Sequence, residues 1–376
     1  MPQLTFTRYI AALAVVAFHV VSFHLGHGVQ WEADARLLSF VTQWPVAVTF
    51  FFVLSGFVLA TAYPLLAGAD ARRRFWRARF ARIYPVYLLA LVATAAVQLR
   101  GGGRCPPRHS RARRCCCRGS CPRGSARSTI RGGRYPPKRF STRCFPWLVA
   151  WLGGRASFRA LIGTTLVLWV ATQALYMALL GLRASGHLSL AQEVFVRFNP
   201  LLYVSSFVWG MAAALLLRRS DAWLSERPWI ARWGAAVATV ATLAAIVAGL
   251  AVLPALPQWA AFPLVTDHCA FAPLFVLAIV ALACDRSAVA RSLAWRPLVV
   301  LGEASYAVYI LQVPAWALFV WLAYPHLAIG PLGAFGVFVA LLTVSSVAVL
   351  YAVEKPARAW LRAPPARSAR SATNQA

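Results

Sequence analysis

Apolar residues in this chain come in long blocks separated by short polar connections. The blocks fall at roughly 9–25, 39–63, 83–99, 158–181, 200–217, 233–253, 268–284, 303–323 and 331–352. Most approach the ~20 residues an α-helix needs to cross the ~30 Å hydrocarbon core of a bilayer. A further block at 144–153 is too short for a crossing and starts abruptly. The pattern predicts an all-α integral membrane protein, a bundle of about ten transmembrane helices. No cleavage pattern follows the first block, so it reads as a retained helix.

Composition agrees with this. The 376 residues are 60% hydrophobic with a mean hydropathy of +0.63, against about 45–50% apolar in soluble domains. The connections also orient the helices. With the N-terminus in the cytoplasm, the inward loops carry Arg72, Arg73, Arg74, Arg77, Arg79 and Arg82, then Arg155, then Arg218, Arg219, Arg227 and Arg232, then Arg286, Arg291 and Arg296. The tail adds Lys355, Arg358, Arg362, Arg367 and Arg370. The outward loops hold Glu32, Asp34, Arg183, Glu193, Arg197 and Asp267. This is the positive-inside asymmetry. It predicts a multi-pass protein of the inner (cytoplasmic) membrane with both termini in the cytoplasm.

One connection breaks the rule. Residues 100–143 should face outward, yet hold 14 Lys and Arg and no acid, half of the chain's net charge of +28. The stretch is rich in Arg, Gly, Pro and Cys and nearly free of Leu, Val and Ile. Three readings compete: a genuine basic, disordered loop, a nucleic-acid or anionic-lipid patch, or a shifted reading frame in GC-rich DNA. The run Cys115–Cys116–Cys117 bears on the last, because repeated TGC read one base away becomes a Leu or Ala codon, the stuff of membrane helices. The wrong sign of charge for that side of the membrane favours the frame shift, and nucleic acid is not expected as a partner. The chain accordingly divides into 1–99 (helices one to three), 100–143 (the anomalous stretch), 144–353 (the remaining helices) and 354–376 (a basic tail). Six of the eight cysteines lie in or beside the stretch, without zinc-site spacing. Neither a disulfide framework nor a metal site is expected.

Several polar residues stand out. Arg8 and His19 flank an apolar run. Eleven helical steps of about 100° bring them within ~20° of one face, with a rise of ~16 Å between them. Arg8 is then near the cytoplasmic headgroups and His19 about halfway into the bilayer. A neutral imidazole there can take a proton from a hydroxyl, and an ionisable residue in the membrane is a functional candidate by default. The competing reading is a histidine that hydrogen-bonds a neighbouring helix and only packs. His24 and His27 lie near the outer face, and packing is the better reading for them. Arg72 to Arg82 precede Ile83–Tyr84–Pro85. They fit topology determination and anionic-lipid binding, or capture of a phosphorylated cosubstrate, since Arg forks grip phosphate bidentately. Arg79 and Arg82, three apart, present two guanidinium groups from one helical face. Within Phe50–Phe57, the pair Ser55–Gly56 allows close helix approach and the Phe residues pack. Ser305 and Tyr309 share a face, with Tyr306 and Gln312 beside them. Such groups line a substrate path or tie helices together. No G-x-S-x-G, Walker loop, G-x-G-x-x-G or H-E-x-x-H is present, which removes support for serine hydrolases, nucleotide hydrolases and zinc proteases.

Together these segments resemble the acyltransferase-3 family of membrane O-acyltransferases, the sugar and lipopolysaccharide O-acetylase type. Leu4–Leu13 through Phe18–His19 looks like that family's opening helix with its Arg-x10-His pair. Phe51–Phe57 resembles its second-helix motif and Arg79–Pro85 its Arg-x-x-Arg segment. Phe198–Asn199–Pro200 with Phe207 and Gly210, Leu301–Tyr306 through Tyr309, and Val353–Arg358 are similar to later family motifs. The resemblance implies a cytoplasmic acyl-CoA donor, acetyl-CoA or another acyl-CoA. It implies an acceptor hydroxyl on a glycan, a lipid-linked sugar or a secondary metabolite, with membrane lipid as the surroundings. It makes His19 the general base and Arg8 the second catalytic residue, with Arg8, Arg79 and Arg82 around the donor and Tyr84 among the donor-binding residues. Ser55, Ser305, Tyr306, Tyr309 and Gln312 fall on the substrate path.

Two departures stand against it. The family carries a Trp-Ser-Leu-Ser-x-Glu segment just before the position of Phe145–Pro146–Trp147, where this chain reads Tyr135–Phe140. Many members have a histidine where Gln312 stands, and glutamine cannot act as a base at neutral pH. The alternatives are a non-catalytic transporter or flippase, and a family member inactivated by residues 100–143. Acyl chain, acceptor and oligomeric state are not written in the sequence.

Overall fold

Inside a hydrocarbon layer a backbone amide finds no water, so each segment must satisfy its own hydrogen bonds, and a helix does so within itself. The computed structural model of the chain follows this rule. It describes residues 1–26, 35–63, 68–101, 145–148, 151–152, 157–187, 192, 199–220, 226–227, 229, 233–252, 269–327 and 329–362. No strand occurs among them. The anomalous stretch beyond Gly101, four residues of the 144–153 block, His27 and the tail beyond Arg362 lie outside the described residues. Among the described residues, eight helices are long and apolar enough to cross a membrane, and a ninth apolar helix, Ala272–Cys284, is shorter. The protein is an all-α, multi-pass membrane protein.

The chain forms two compact units, residues 1–66 with 106–303, and residues 67–105 with 304–376. The first contains α1 (Gln3–Gly26), α2 (Ala35–Thr42), α3 (Val46–Ala62), α5 (Phe158–Ala184), α6 (Val204–Arg219), α7 (Ala235–Val252), α8 (Ala272–Cys284) and α9 (Ala288–Leu293). The second contains α4 (Ala69–Gly101), α11 (Pro331–Val349) and α12 (Lys355–Arg362), and α10 (Arg296–Leu322) begins in the first and ends in the second.

In the first unit α3 and α6 cross backbone to backbone. A Cβ on Gly56 would overlap the Phe207 carbonyl oxygen, and one on Gly210 would overlap the Val53 carbonyl oxygen. Only glycine at both positions permits that approach. Around the crossing Phe51, Phe52, Val53, Leu54 and Phe57 are at most 6% exposed, so the phenylalanines pack, as expected. Phe52 stacks on Tyr203 at 4.8 Å and Phe50 meets Phe275 of α8 edge-on at 5.5 Å. Gly302 makes a third close approach, its missing side chain leaving room for the backbone at Thr5 and Phe6 of α1. A polar junction completes the core. Buried Cys269 donates its thiol to the Leu202 carbonyl at 3.0 Å and lies 2.9 Å from the Ser206 hydroxyl. Its amide donates to Thr49 at 3.4 Å, and its carbonyl accepts from the Trp169 indole at 2.7 Å. Partners on α3, α5 and α6 thus hold the approach to α8.

Three boundaries differ from expectation. The block 39–63 is broken, since Pro45 has no amide hydrogen and disfavours helix at Trp44. Turn bonds from Gln43 to Phe40 at 3.1 Å and Trp44 to Val41 at 3.0 Å bridge the gap. The expected third helix begins not at 83 but at Ala69, so the arginine stretch is helix rather than loop. Arginine is a good helix former, and Asp70 sits in the first turn, where an acid favours the helix dipole. The block at 303 starts seven residues early, at Arg296.

Gly210→Ala should lower thermal stability in detergent by the equivalent of about 1–3 kcal/mol, the usual effect of overpacking. Gly163→Ala in α5, where an added Cβ meets nothing within 4 Å, should leave the melting midpoint unchanged or raise it. Equal midpoints for the two variants would show that the crossing is not closely packed.

Candidate functional site

α1 presents its candidates along one continuous helix. Leu4, Ala11, Ala12, Val15, Val16, Val20 and Val21 are buried, and Arg8 is half-buried on the same stripe. His19 is different. By helical angle it belongs in the middle of the buried face, flanked by Ala12, Val15 and Val16, which are at most 2% exposed. The His19 ring is nevertheless exposed, with Phe18 beside it at a centroid distance of 5.3 Å. Arg8 and His19 are separated by a rise of ~16 Å along the helix. The His24 side chain is not among those described. Ser55 is half-buried in α3.

The other candidates lie in the second unit. Arg79 and Arg82 are half-buried and share a face of α4, and the Arg79 guanidinium lies 5.7 Å over the buried Phe75 ring. Desolvated cation–π contact of this kind fixes a guanidinium in place. Tyr84 does not join them. Five residues from Arg79, it falls about 140° around the helix, where it is 41% exposed and stacks on Phe80 at 4.5 Å. The structure therefore brings Arg79 and Arg82 together and sets Tyr84 apart.

On α10 the Tyr306 hydroxyl donates to the Ile83 carbonyl of α4 at 3.2 Å, a tie between helices beside Pro85. Ser305 is 4% exposed and Tyr309 half-buried. Gln312 is 5% exposed, and its amide nitrogen donates to the Tyr309 carbonyl at 3.0 Å. Its side-chain oxygen has no hydrogen-bond partner among the described residues.

Two features were missed in the sequence. A π-turn at Leu350–Glu354 links α11 to α12. At its end the fully buried Glu354 carboxylate pairs with Arg358, four residues on. Glu354 is the sole acid after Glu303, which is the signal that could have found it. The second is a cleft of 410 Å³ in the second unit lined by Trp76, Arg77, Phe80, Trp360 and Leu361. Among the described residues no cluster of three or more His, Cys, Asp or Glu is placed to hold a metal ion.

Arg358→Met should destabilise the protein by about 3–5 kcal/mol, because it strands a buried carboxylate. The double variant Glu354→Met/Arg358→Met should recover most of that loss. Thermal unfolding in detergent measures both, and a double variant no more stable than the single one would refute the pairing.

Comparison with known proteins bears on the first third of this arrangement. Residues 1–104 match the family described as an acyltransferase domain. The matched segment holds Arg8, His19, Ser55, Arg79, Arg82 and Tyr84; the later motifs at 198–210, 301–309 and 353–358 fall outside the matched residues. The chain is 39% identical over 101 residues to acyltransferase MdmB of Streptomyces mycarofaciens, which covers 26% of this chain and 24% of that protein. It is 55% identical over 53 residues to protein 2 in the picA locus of Rhizobium radiobacter, which covers 14% of this chain and 28% of that protein. The chain thus spans about a quarter of the length of the curated relatives it matches. No solved structure gives a significant match.

Proposed function

We propose that this protein is a membrane O-acyltransferase that moves an acyl group, acetyl in the simplest case, from acyl-CoA to a hydroxyl of a glycan, a lipid-linked sugar or a secondary metabolite. The observation that carries the proposal is the acyltransferase-family match over residues 1–104, the segment that supplies both the accessible His19 and the arginine pair.

The chemistry assigns each group one task. His19 accepts the proton of the acceptor hydroxyl as its oxygen attacks the thioester carbonyl. The new C–O ester bond forms, the C–S bond breaks, and the departing thiolate takes the proton from the imidazolium. Arg79 and Arg82 bind phosphate oxygens of the donor. Their fixed, half-buried guanidinium groups suit bidentate anion recognition. Arg8, a helix pitch or more from the imidazole, serves the donor's anionic portion rather than the reacting carbonyl. The cationic connections support an orientation with the termini and the arginine pair on the cytoplasmic side of the inner membrane, where acyl-CoA is found.

His19→Ala should insert into the membrane at wild-type level, since the ring is exposed, and should lose acyl transfer by about 10²–10⁴-fold, the usual worth of a general base. Arg79→Ala and Arg82→Ala should weaken acyl-CoA binding to the purified protein. Full activity in the His19 variant would remove its role as base, and a wild-type protein that binds no acyl-CoA would point to a transporter instead.

The match ends at residue 104, at the start of the anomalous basic stretch, as a shifted reading frame would produce. Resequencing the coding DNA across codons 98 to 147 and translating all frames should reveal an apolar helix followed by a Trp-Ser-Leu-Ser-x-Glu-like segment. A confirmed sequence with no such segment in any frame would make the basic loop real and the chain a repurposed or inactive acyltransferase.

A further inference from the structure

The cleft between the charged half of α4 and α12 belongs to neither the proton transfer nor the arginine pair. Its walls are Trp76, Arg77, Phe80, Trp360 and Leu361, enclosing 410 Å³. Trp360 is 77% exposed and Phe80 52% exposed. Large aromatic rings this open to the surroundings are unusual in water but common at the headgroup level of a bilayer, where an apolar ring meets a polar layer. The location agrees: α4 passes from its arginine stretch directly into the apolar run after Pro85, and α12 follows the membrane-length helix α11 through the π-turn.

One wall carries a cation, Arg77. Arg72, Arg73 and Arg74 are exposed on the same helix α4, and Lys355 on α12 lies 4.1 Å over the Tyr351 ring. The acids among the described residues of this unit are Asp70, at the start of α4, and Glu354, buried against Arg358. Basic residues therefore outnumber acids among the described residues of this unit. Arg77 also donates to the Leu361 carbonyl at 3.1 Å, which ties the C-terminal end of α12 to α4 and holds a cation at the mouth of the cleft.

We propose that this cleft is a binding site for one anionic phospholipid. The upper acyl chain lies against Trp76, Phe80 and Trp360, and the phosphodiester meets Arg77 and its cationic neighbours. The lining favours this occupant over a nucleotide. Among the described residues it contains no carboxylate, amide or hydroxyl side chain, so the hydrogen-bonding edge of a purine would find no partners on them. An acyl chain needs none. The proposal does not depend on acyl transfer, because it uses neither His19, Arg79, Arg82 nor Tyr84.

The test uses the full-length protein, delipidated in neutral detergent. Binding of phosphatidylglycerol and of phosphatidylcholine is measured by quenching of tryptophan fluorescence with bromine-labelled lipids and by native mass spectrometry. Phosphatidylglycerol should bind more tightly. Arg77→Gln should weaken it by about fivefold, the affinity equivalent of one cation at a membrane surface, and leave phosphatidylcholine unchanged, while Arg77→Lys should retain most of the preference. Trp360→Ala should weaken both lipids, and Trp360→Phe should restore them; the exposure of Trp360 makes both variants compatible with folding, checked by the melting midpoint. Equal affinity for the two lipids, or wild-type phosphatidylglycerol binding in Trp360→Ala, overturns the proposal. So does displacement of the lipid by adenosine 3′,5′-bisphosphate in wild type but not in Trp360→Ala, which would assign the cleft to a nucleotide.

Discussion

The absence of water from the bilayer interior governs everything else in this protein. It confines the described backbone to helices, and helices offer chemistry only through side chains at fixed angular spacing. It also removes the ordinary hydrophobic incentive for helices to associate, because lipid is as apolar as leucine. Association then has to come from close packing and from polar ties. Both are visible. Gly56 and Gly210 let two backbones touch, and Cys269, Ser206, Thr49 and Trp169 connect four chain segments by hydrogen bonds. In such a medium an accessible imidazole on a buried face is costly unless something is meant to reach it, which is why His19 stands out more in the structure than in the sequence.

Much of this was legible beforehand, for physical reasons. A membrane-spanning helix announces itself by length and apolarity, so the blocks at 158–181, 200–217 and 331–352 sit close to observed helices. The small pair Ser55–Gly56 pointed to close approach, and Gly210 and Gly302 had been singled out only as parts of motifs. What the sequence hid is pairwise. Nothing in it says that Gly56 meets Phe207, or that Gly302 meets Thr5, because such contacts lie far apart along the chain. Pro45 is a plain helix breaker, yet the surrounding hydropathy overrode it. The reverse held for Arg72 to Arg82. A run of charges looks like a loop in a membrane protein, but arginine propagates a helix well, and α4 simply extends beyond the apolar layer.

The same extension sorts the arginines. Along α4, positions 75, 79, 82 and 86 fall on one side, where Phe75 and Val86 are buried, and positions 73, 77, 80 and 84 fall on another. A single run of basic residues in the sequence thus becomes two surfaces with different surroundings. Arg79 and Arg82 are partly desolvated and positioned, the condition under which a guanidinium recognises a particular anion. Arg73 and Arg77 are exposed, and Arg77 lies among the aromatic rings of the cleft, the condition for contact with headgroups. Sequence spacing alone predicted the first pair, and the helical angle that separates Tyr84 from it is equally implicit in the numbering. The aromatic wall that distinguishes the second surface comes partly from Trp360, nearly three hundred positions away.

The family-matched segment contributes α1 to α3 to one compact unit and α4 to the other. The imidazole and the arginine pair therefore belong to different parts of the fold, although they are close in sequence. Under the proposed acyl transfer the two sets of groups have separate tasks, because the phosphates of acyl-CoA and its thioester are separated by a long flexible arm. Within the first unit, orientation rests on helix packing rather than on loops, and the glycine crossing of Gly56 with Gly210 fixes the helices as firmly as the polar ties around Cys269 do.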